Sequence, residues 1–184
     1  MDALANRRIL VVDDRQAIHE DMRKILARDD SSADLDADEA LLFDTQLSTD
    51  IEPFELVSAM QGEEGLQLVR ESLVAENPFS LAFIDVRMPP GWDGITTAGH
   101  IMATDREIQI VICSAYSDHA PQQILNRLGY TDRLLYLRKP FDVAEVVMLA
   151  TTLNTKWHLC QASATFMEIL AERAFDMDAL SNDK

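Results

Sequence analysis

A chain of 184 residues, 47% of them apolar, can build one packed domain with a further segment attached. Its formal net charge of −16, from 32 acidic and 16 basic residues, argues against nucleic-acid binding, which rests on neutralising phosphates with Lys and Arg. The apolar run Ile9–Val12 is too short for a signal-peptide core and nothing downstream reaches the length of a membrane span, so a cytoplasmic protein without a membrane partner is expected.

Short apolar runs alternate with amphipathic helical patterns along the chain, the signature of βα units on a parallel sheet. The first strand is expected at Ile9–Val12, followed by a helix over about 16–27 with Ile18, Met22, Ile25 and Leu26 on one face. An acidic segment from about 29 to 53 follows, with no Lys or Arg between Arg28 and Arg70. Leu35, Leu41, Leu42, Phe43 and Leu47 within it leave two readings, a solvated loop or a short helix over about 36–44, and their apolar character favours the helix. A second strand fits Phe54–Ala59 and its helix about 63–75. The third pair is Leu81–Ile84 and about 95–104, and the fourth is Ile108–Cys113 and about 121–128, with Gly129 placed to end that helix. The fifth strand is Leu134–Leu137, and a long helix starts after Asp142, a good N-cap with Glu145 three residues on. Strands one, three and four are apolar throughout, as for strands covered on both faces. The expected fold is therefore an α/β, doubly wound (βα)5 parallel sheet of the flavodoxin-like kind, extended by a C-terminal helix. Cys113 and Cys160 suggest no disulfide framework and read as buried thiols.

Five polar residues fall at or just past the ends of these strands: Asp13 and Asp14, Asp85, Ser114 and Lys139. In an open parallel sheet that edge is where ligands bind. A carboxylate can attack a phosphoryl group to give an aspartyl phosphate. Clustered carboxylates repel one another and the incoming anion, and a hard divalent cation resolves both difficulties. The pattern thus suggests Mg2+ held by Asp13 and Asp14, with Asp85 as acceptor. Lys139 can hold a peripheral oxygen as a point charge, and Ser114 can donate a hydroxyl hydrogen bond to another.

The stretches Ile9-Leu10-Val11-Val12-Asp13-Asp14, Phe83-Ile84-Asp85-Val86-Arg87-Met88-Pro89, Asp93-Gly94, Ser114-Ala115 and Lys139-Pro140-Phe141 resemble the receiver domain of two-component response regulators. The resemblance runs from Arg8 to about Leu153. It implies that Asp85 takes a phosphoryl group from a histidine kinase or phosphotransfer protein, in a phosphorelay. It further implies that Asp85 and the backbone carbonyl of Arg87 join Asp13 and Asp14 around the metal, and that Lys139–Pro140 is cis. Ser114 and Tyr136 would act as switch residues that carry the change to the face made by helix four, strand five and helix five. Beyond phosphorylating and dephosphorylating itself, such a domain is not an enzyme. Three features depart from the family pattern: an extra residue in the loop Met88–Gly94, which holds Trp92; Arg87 and Tyr116 at positions that tune phosphoryl lifetime; and the acidic insertion.

The expected division is a receiver domain over 1–153 and a signalling helix over 154–184, leading to an output domain of a longer protein. Ala150, Leu153, Trp157, Cys160, Ala164, Met167, Ala171 and Ala174 step by three and four. That spacing predicts a two-helix coiled coil, hence a homodimer, with a rod roughly 50 Å long from Asp142 to Ala174. The competing reading folds this helix back on its own domain. Trp92 is expected to pack within its loop, and His19, His100, His119 and His158 to be surface or satisfied histidines. Two other functional classes remain open. A haloacid-dehalogenase-like phosphatase would want an aspartate where Arg87 stands, and a phosphate-independent scaffold would leave Asp85 unreactive.

Overall fold

The computed structural model describes residues 6–27, 52–115 and 121–181. Its elements, in order, are β1 (Arg8–Val12), α1 (Gln16–Leu26), β2 (Glu55–Ala59), α2 (Gly62–Val74), β3 (Leu81–Asp85), α3 (Gly94–Thr104), β4 (Gln109–Ser114), α4 (Pro121–Leu128), β5 (Leu134–Arg138) and α5 (Val143–Ser181). All four strand pairings are parallel, in the order β2-β1-β3-β4-β5. This is the doubly wound, flavodoxin-like arrangement, and its strand order reverses between β1 and β3. The acidic segment and the short helix expected within it lie outside the described residues, except for its last positions.

Alternation along the central strands sorts the core into two layers, because successive strand side chains point to opposite faces. Leu10, Val12, Ala82, Ile84, Ile110 and Ile112 face α2, α3 and α4, meeting Leu66, Val69, Ile95, Ala98, Ile101 and Ile124. Ile9, Val11, Leu81, Phe83, Val111 and Cys113 face the other way, onto Met22 and Leu26 of α1 and Val146, Ala150 and Leu153 of α5. Every residue of β3 and β4 is buried, which is why these strands read as continuous apolar runs.

Two helix ends are built as the residue types suggest. Gly129 follows α4 at φ 81°, where a glycine avoids the Cβ penalty. The Asp142 carboxylate accepts from the backbone N–H groups of Ala144 (2.8 Å) and Glu145 (3.3 Å) at the start of α5.

The last helix departs from expectation in three ways. It runs on past Ala174 to Ser181, since neither Gly nor Pro interrupts it. The first members of the proposed seam, Ala150, Leu153 and Trp157, are buried, and Ala150 and Leu153 pack into the core of their own domain. Cys160 is exposed rather than buried, because the helix parts from the sheet at that point.

Contacts with the domain continue past residue 153. Asn154 Nδ2 donates to Ser80 Oγ (2.8 Å) and to the Asn6 carbonyl (2.9 Å), and His158 Nε2 donates to that same carbonyl (2.8 Å). A chain ending at Leu153 is therefore expected to be less stable than one ending at Leu159. The buried Trp157 alone contributes about 3 kcal/mol. Urea denaturation of the two truncations measures the difference, and equal midpoints would show that the domain ends at Leu153.

Candidate functional site

β1 and β3 are neighbours, so Asp13 just past β1 and Asp85 at the end of β3 meet at the point where the strand order reverses. Asp14 follows directly, and oxygen atoms of Asp13, Asp14 and Asp85 lie within 4.8 Å of one another. Lys139, one residue past β5, reaches across the edge. Its Nζ is 2.5 Å from both Asp13 Oδ2 and Asp85 Oδ1. Asp13 and Asp85 are buried, so these pairs are poorly screened by solvent.

The second oxygen of each buried carboxylate is held by backbone. Arg15 N donates to Asp13 Oδ1 and Arg87 N to Asp85 Oδ2, each at 3.0 Å. Burial raises the pKa of Asp85 above the ordinary carboxylate value. The Lys139 ammonium and the Arg87 N–H oppose that shift, whereas the charge of Asp13 adds to it. Arg15 Nε also lies 3.5 Å from Asp13 Oδ1, and three carboxylates against these two cations leave the cluster negative, which suits a divalent cation. The all-oxygen donor set suits Mg2+.

Ser114 ends β4, one residue beyond the Asp85–Cys113 pairing. It is fully buried, with its Oγ donating to the Ala115 carbonyl at 3.2 Å. The Lys139 N–H donates to the Ser114 carbonyl at 2.9 Å, which ties the ends of β4 and β5 together. Tyr136 is half-buried against the layer beneath α2, α3 and α4. Lys139–Pro140 is cis, as the resemblance implied, and so is Pro89–Pro90. Tyr116 and His119 lie outside the described residues.

Several supporting residues carry little signal in one dimension. Buried His19 donates from Nε2 to the Asp13 carbonyl at 2.8 Å, while its Nδ1 finds no partner among the described residues. Gly94 sits where a Cβ would come within 1.9 Å of the Asp85 carbonyl oxygen, so glycine is required for the chain to pass Asp85. Asp93 caps α3 through Thr96 N (2.6 Å), and Arg127 of α4 bridges Asp93 (3.0 Å) and Thr96 Oγ1 (3.1 Å). Trp92 stacks on His100 with ring centroids 4.4 Å apart, the packing role expected of it. Burial pushes the Cys113 thiol far up, which makes it inert. Beside Lys139 a cleft of about 650 Å³ opens between α1 and the β5–α5 loop, lined by Ile18, Ile25, Ala115, Pro140 and Phe141 among others.

A flavodoxin-like sheet with three clustered aspartates and a bridging lysine at its carboxyl edge defines an acidic site whose geometry could hold a cation. The sequence matches the response regulator receiver domain over residues 35–151, and the chain belongs to that family. The matched span begins within the acidic segment. β1, Asp13 and Asp14 lie outside it and join it through strand pairing. No curated protein matches the sequence.

Solved structures share the fold at low identity. An adenylate cyclase from Rhodopirellula baltica is 19% identical, with a TM-score of 0.64 over 89% of this chain and 98% of that one. A CheY-like response regulator receiver domain protein from Methanospirillum hungatei JF-1 is also 19% identical, with a TM-score of 0.57 over 83% and 97%. NtrX from Brucella abortus is 18% identical, with a TM-score of 0.59 over 86% of this chain and 29% of that longer one. Among the described residues, no helix is long and apolar enough to cross a membrane.

Asp93 offers a pH test of the loop beside Asp85. Burial works against its ionised form, but the Thr96 hydrogen bonds and Arg127 outweigh it, and its pKa falls below 3.8. A depressed carboxylate contributes stability above its unfolded pKa and loses it as pH falls through the folded one. Asp93→Ala is expected to cost about 1 kcal/mol at pH 7, through the lost cap. That difference should shrink as pH drops below 3.8. Denaturant unfolding of both proteins at several pH values measures it.

Proposed function

We propose that this receiver domain is a phosphorylation-driven switch in which Asp85 accepts a phosphoryl group with the help of Mg2+. Asp13, Asp14, Asp85 and the Arg87 carbonyl would hold the ion, which supplies charge neutralisation for the incoming anion. The convergence of three carboxylates with Lys139 at the β1/β3 edge carries the reading. Asp85 has one oxygen held by Arg87 N, so its nucleophilic face is oriented. Lys139 can turn from the two carboxylates to a phosphoryl oxygen without leaving the pocket. The buried Ser114 hydroxyl is one strand away and can donate to another.

The phosphoryl donor would be a histidine kinase or phosphotransfer protein. The open cleft between α1 and the β5–α5 loop gives such a partner apolar purchase next to Lys139. Ser114, Tyr136 and Arg127 lie along β4, β5 and α4, a route by which charge at Asp85 would shift populations at that face. The signal would reach an output domain through α5, in a cytoplasmic protein that dimerises through that helix. On this reading the receiver includes the domain contacts made up to His158, the rest of α5 forms the signalling helix, and the chain catalyses only its own phosphorylation and dephosphorylation.

Acetyl phosphate with Mg2+ should give a single phosphoryl mass increment, which Asp85→Asn abolishes. Asp13→Asn with Asp14→Asn should lower Mg2+ affinity at least about tenfold. Intact-protein mass spectrometry and Mg2+ titration follow the two effects. No adduct at any Mg2+ concentration would point to a phosphate-independent scaffold. Rapid turnover of many phosphomonoesters would point to a phosphatase.

A further inference from the structure

α5 presents two apolar faces, and the described residues of its own domain cover one of them. Val146, Ala150, Leu153 and Trp157 are buried. That arc is flanked by Lys156, paired with Asp132 at 2.9 Å, and by His158 on the Asn6 carbonyl. Cys160, Ala164 and Ala171 of the expected seam continue the same arc as small, exposed residues. At 3.6 residues per turn, Leu159, Ser163, Phe166 and Leu170 fall on the opposite arc, stepping by four, three and four. Leu159 is 64% exposed, Phe166 60% and Leu170 44%, with Met167 and Ile169 exposed on the flanks. The series ends at Arg173.

We infer that a second copy of this chain covers the Leu159–Phe166–Leu170 face, so that α5 packs on its own domain up to Trp157 and on the partner's helix beyond it. The inference rests on the proposed dimerisation through α5 and moves its seam to the far side of the helix. Spacing by three and four lets two identical faces interdigitate. From Trp157 to Leu170 the sequence holds one charged residue, Glu168, so two copies meet little like-charge repulsion there despite −16 on each. A lipid surface would call for Lys and Arg beside the stripe, and a basic partner for acidic residues along it. Residues 157–170 match neither requirement. Most helical stability in proteins comes from packing an apolar face, and beyond Trp157 the described domain gives α5 none. Pairing the two faces removes on the order of 1,000 Å² from solvent, the low end of specific interfaces, so the dimer dissociates on dilution.

The test compares two double variants of the full chain by sedimentation over a concentration series, with and without acetyl phosphate and Mg2+. Phe166→Glu with Leu170→Glu should raise the dimer dissociation constant at least about tenfold. Ala164→Glu with Ala171→Glu, on the other arc, should leave it within about twofold. All four positions lie beyond the last domain contact, so thermal melting of the domain and the Asp85 adduct should be unchanged. Retention of that adduct separates this inference from the phosphoryl-switch reading. Dissociation by the alanine pair alone, or by both pairs, overturns the inference and returns the seam to the domain-facing arc or to a larger bundle. A full chain that stays monomeric under every condition overturns dimerisation itself.

Discussion

The ion pairs of Lys139 with Asp13 and Asp85, each at 2.5 Å, are the interaction on which the site depends. Two buried carboxylates face each other across the β1/β3 boundary, and without a cation between them burial and mutual repulsion would neutralise one. Holding Lys139 there requires β5 to pair with β4 in one register, which the Lys139 N–H to Ser114 carbonyl bond completes. Asp13 requires β1 between β2 and β3. The electrostatics of four side chains therefore depend on the whole sheet. Unbalanced negative charge remains on the three carboxylates, and it makes the cluster chemically compatible with a divalent cation.

The surrounding packing serves that arrangement at several distances. Gly94 lets the β3–α3 loop pass against the Asp85 carbonyl, and His19 holds the Asp13 carbonyl from beneath. Arg127 joins α4 to the N-cap of α3 within that loop. A change of charge at Asp85 thus has a short physical route to α4, through loop and cap. α5 is held differently, by apolar burial of Val146, Ala150, Leu153 and Trp157 on the opposite layer. Among the described residues, the sheet lies between this layer and the one that holds α4.

Much of this arrangement was legible in one dimension, for identifiable reasons. A parallel sheet buried on both faces leaves continuous apolar runs, and a functional residue at the carboxyl end of each run marks the ligand edge. Asp13, Asp14, Asp85, Ser114 and Lys139 stand out because each falls within two residues of the end of such a run. His19, Arg127 and Gly94 have no comparable mark. His19 looks like any polar residue on a helix until the fold buries it. Arg127 meets Asp93 across 34 residues, a contact no local pattern encodes. The C-terminal helix misled in an instructive way, because spacing by three and four marks an apolar face without saying what covers it.

The sequence by itself determined the alternation of strands and helices, the strand-end carboxylates and the lysine, and with them the family. Local patterning suffices there, since periodicity and strand-end position are properties of short segments. Only the tertiary structure decided that Lys139 bridges Asp13 and Asp85 and that His19 is sealed beneath the site. It also decided that Ala150, Leu153 and Trp157 belong to their own domain. Each of these is a choice of partner between segments far apart in the chain, and such choices are made by global packing.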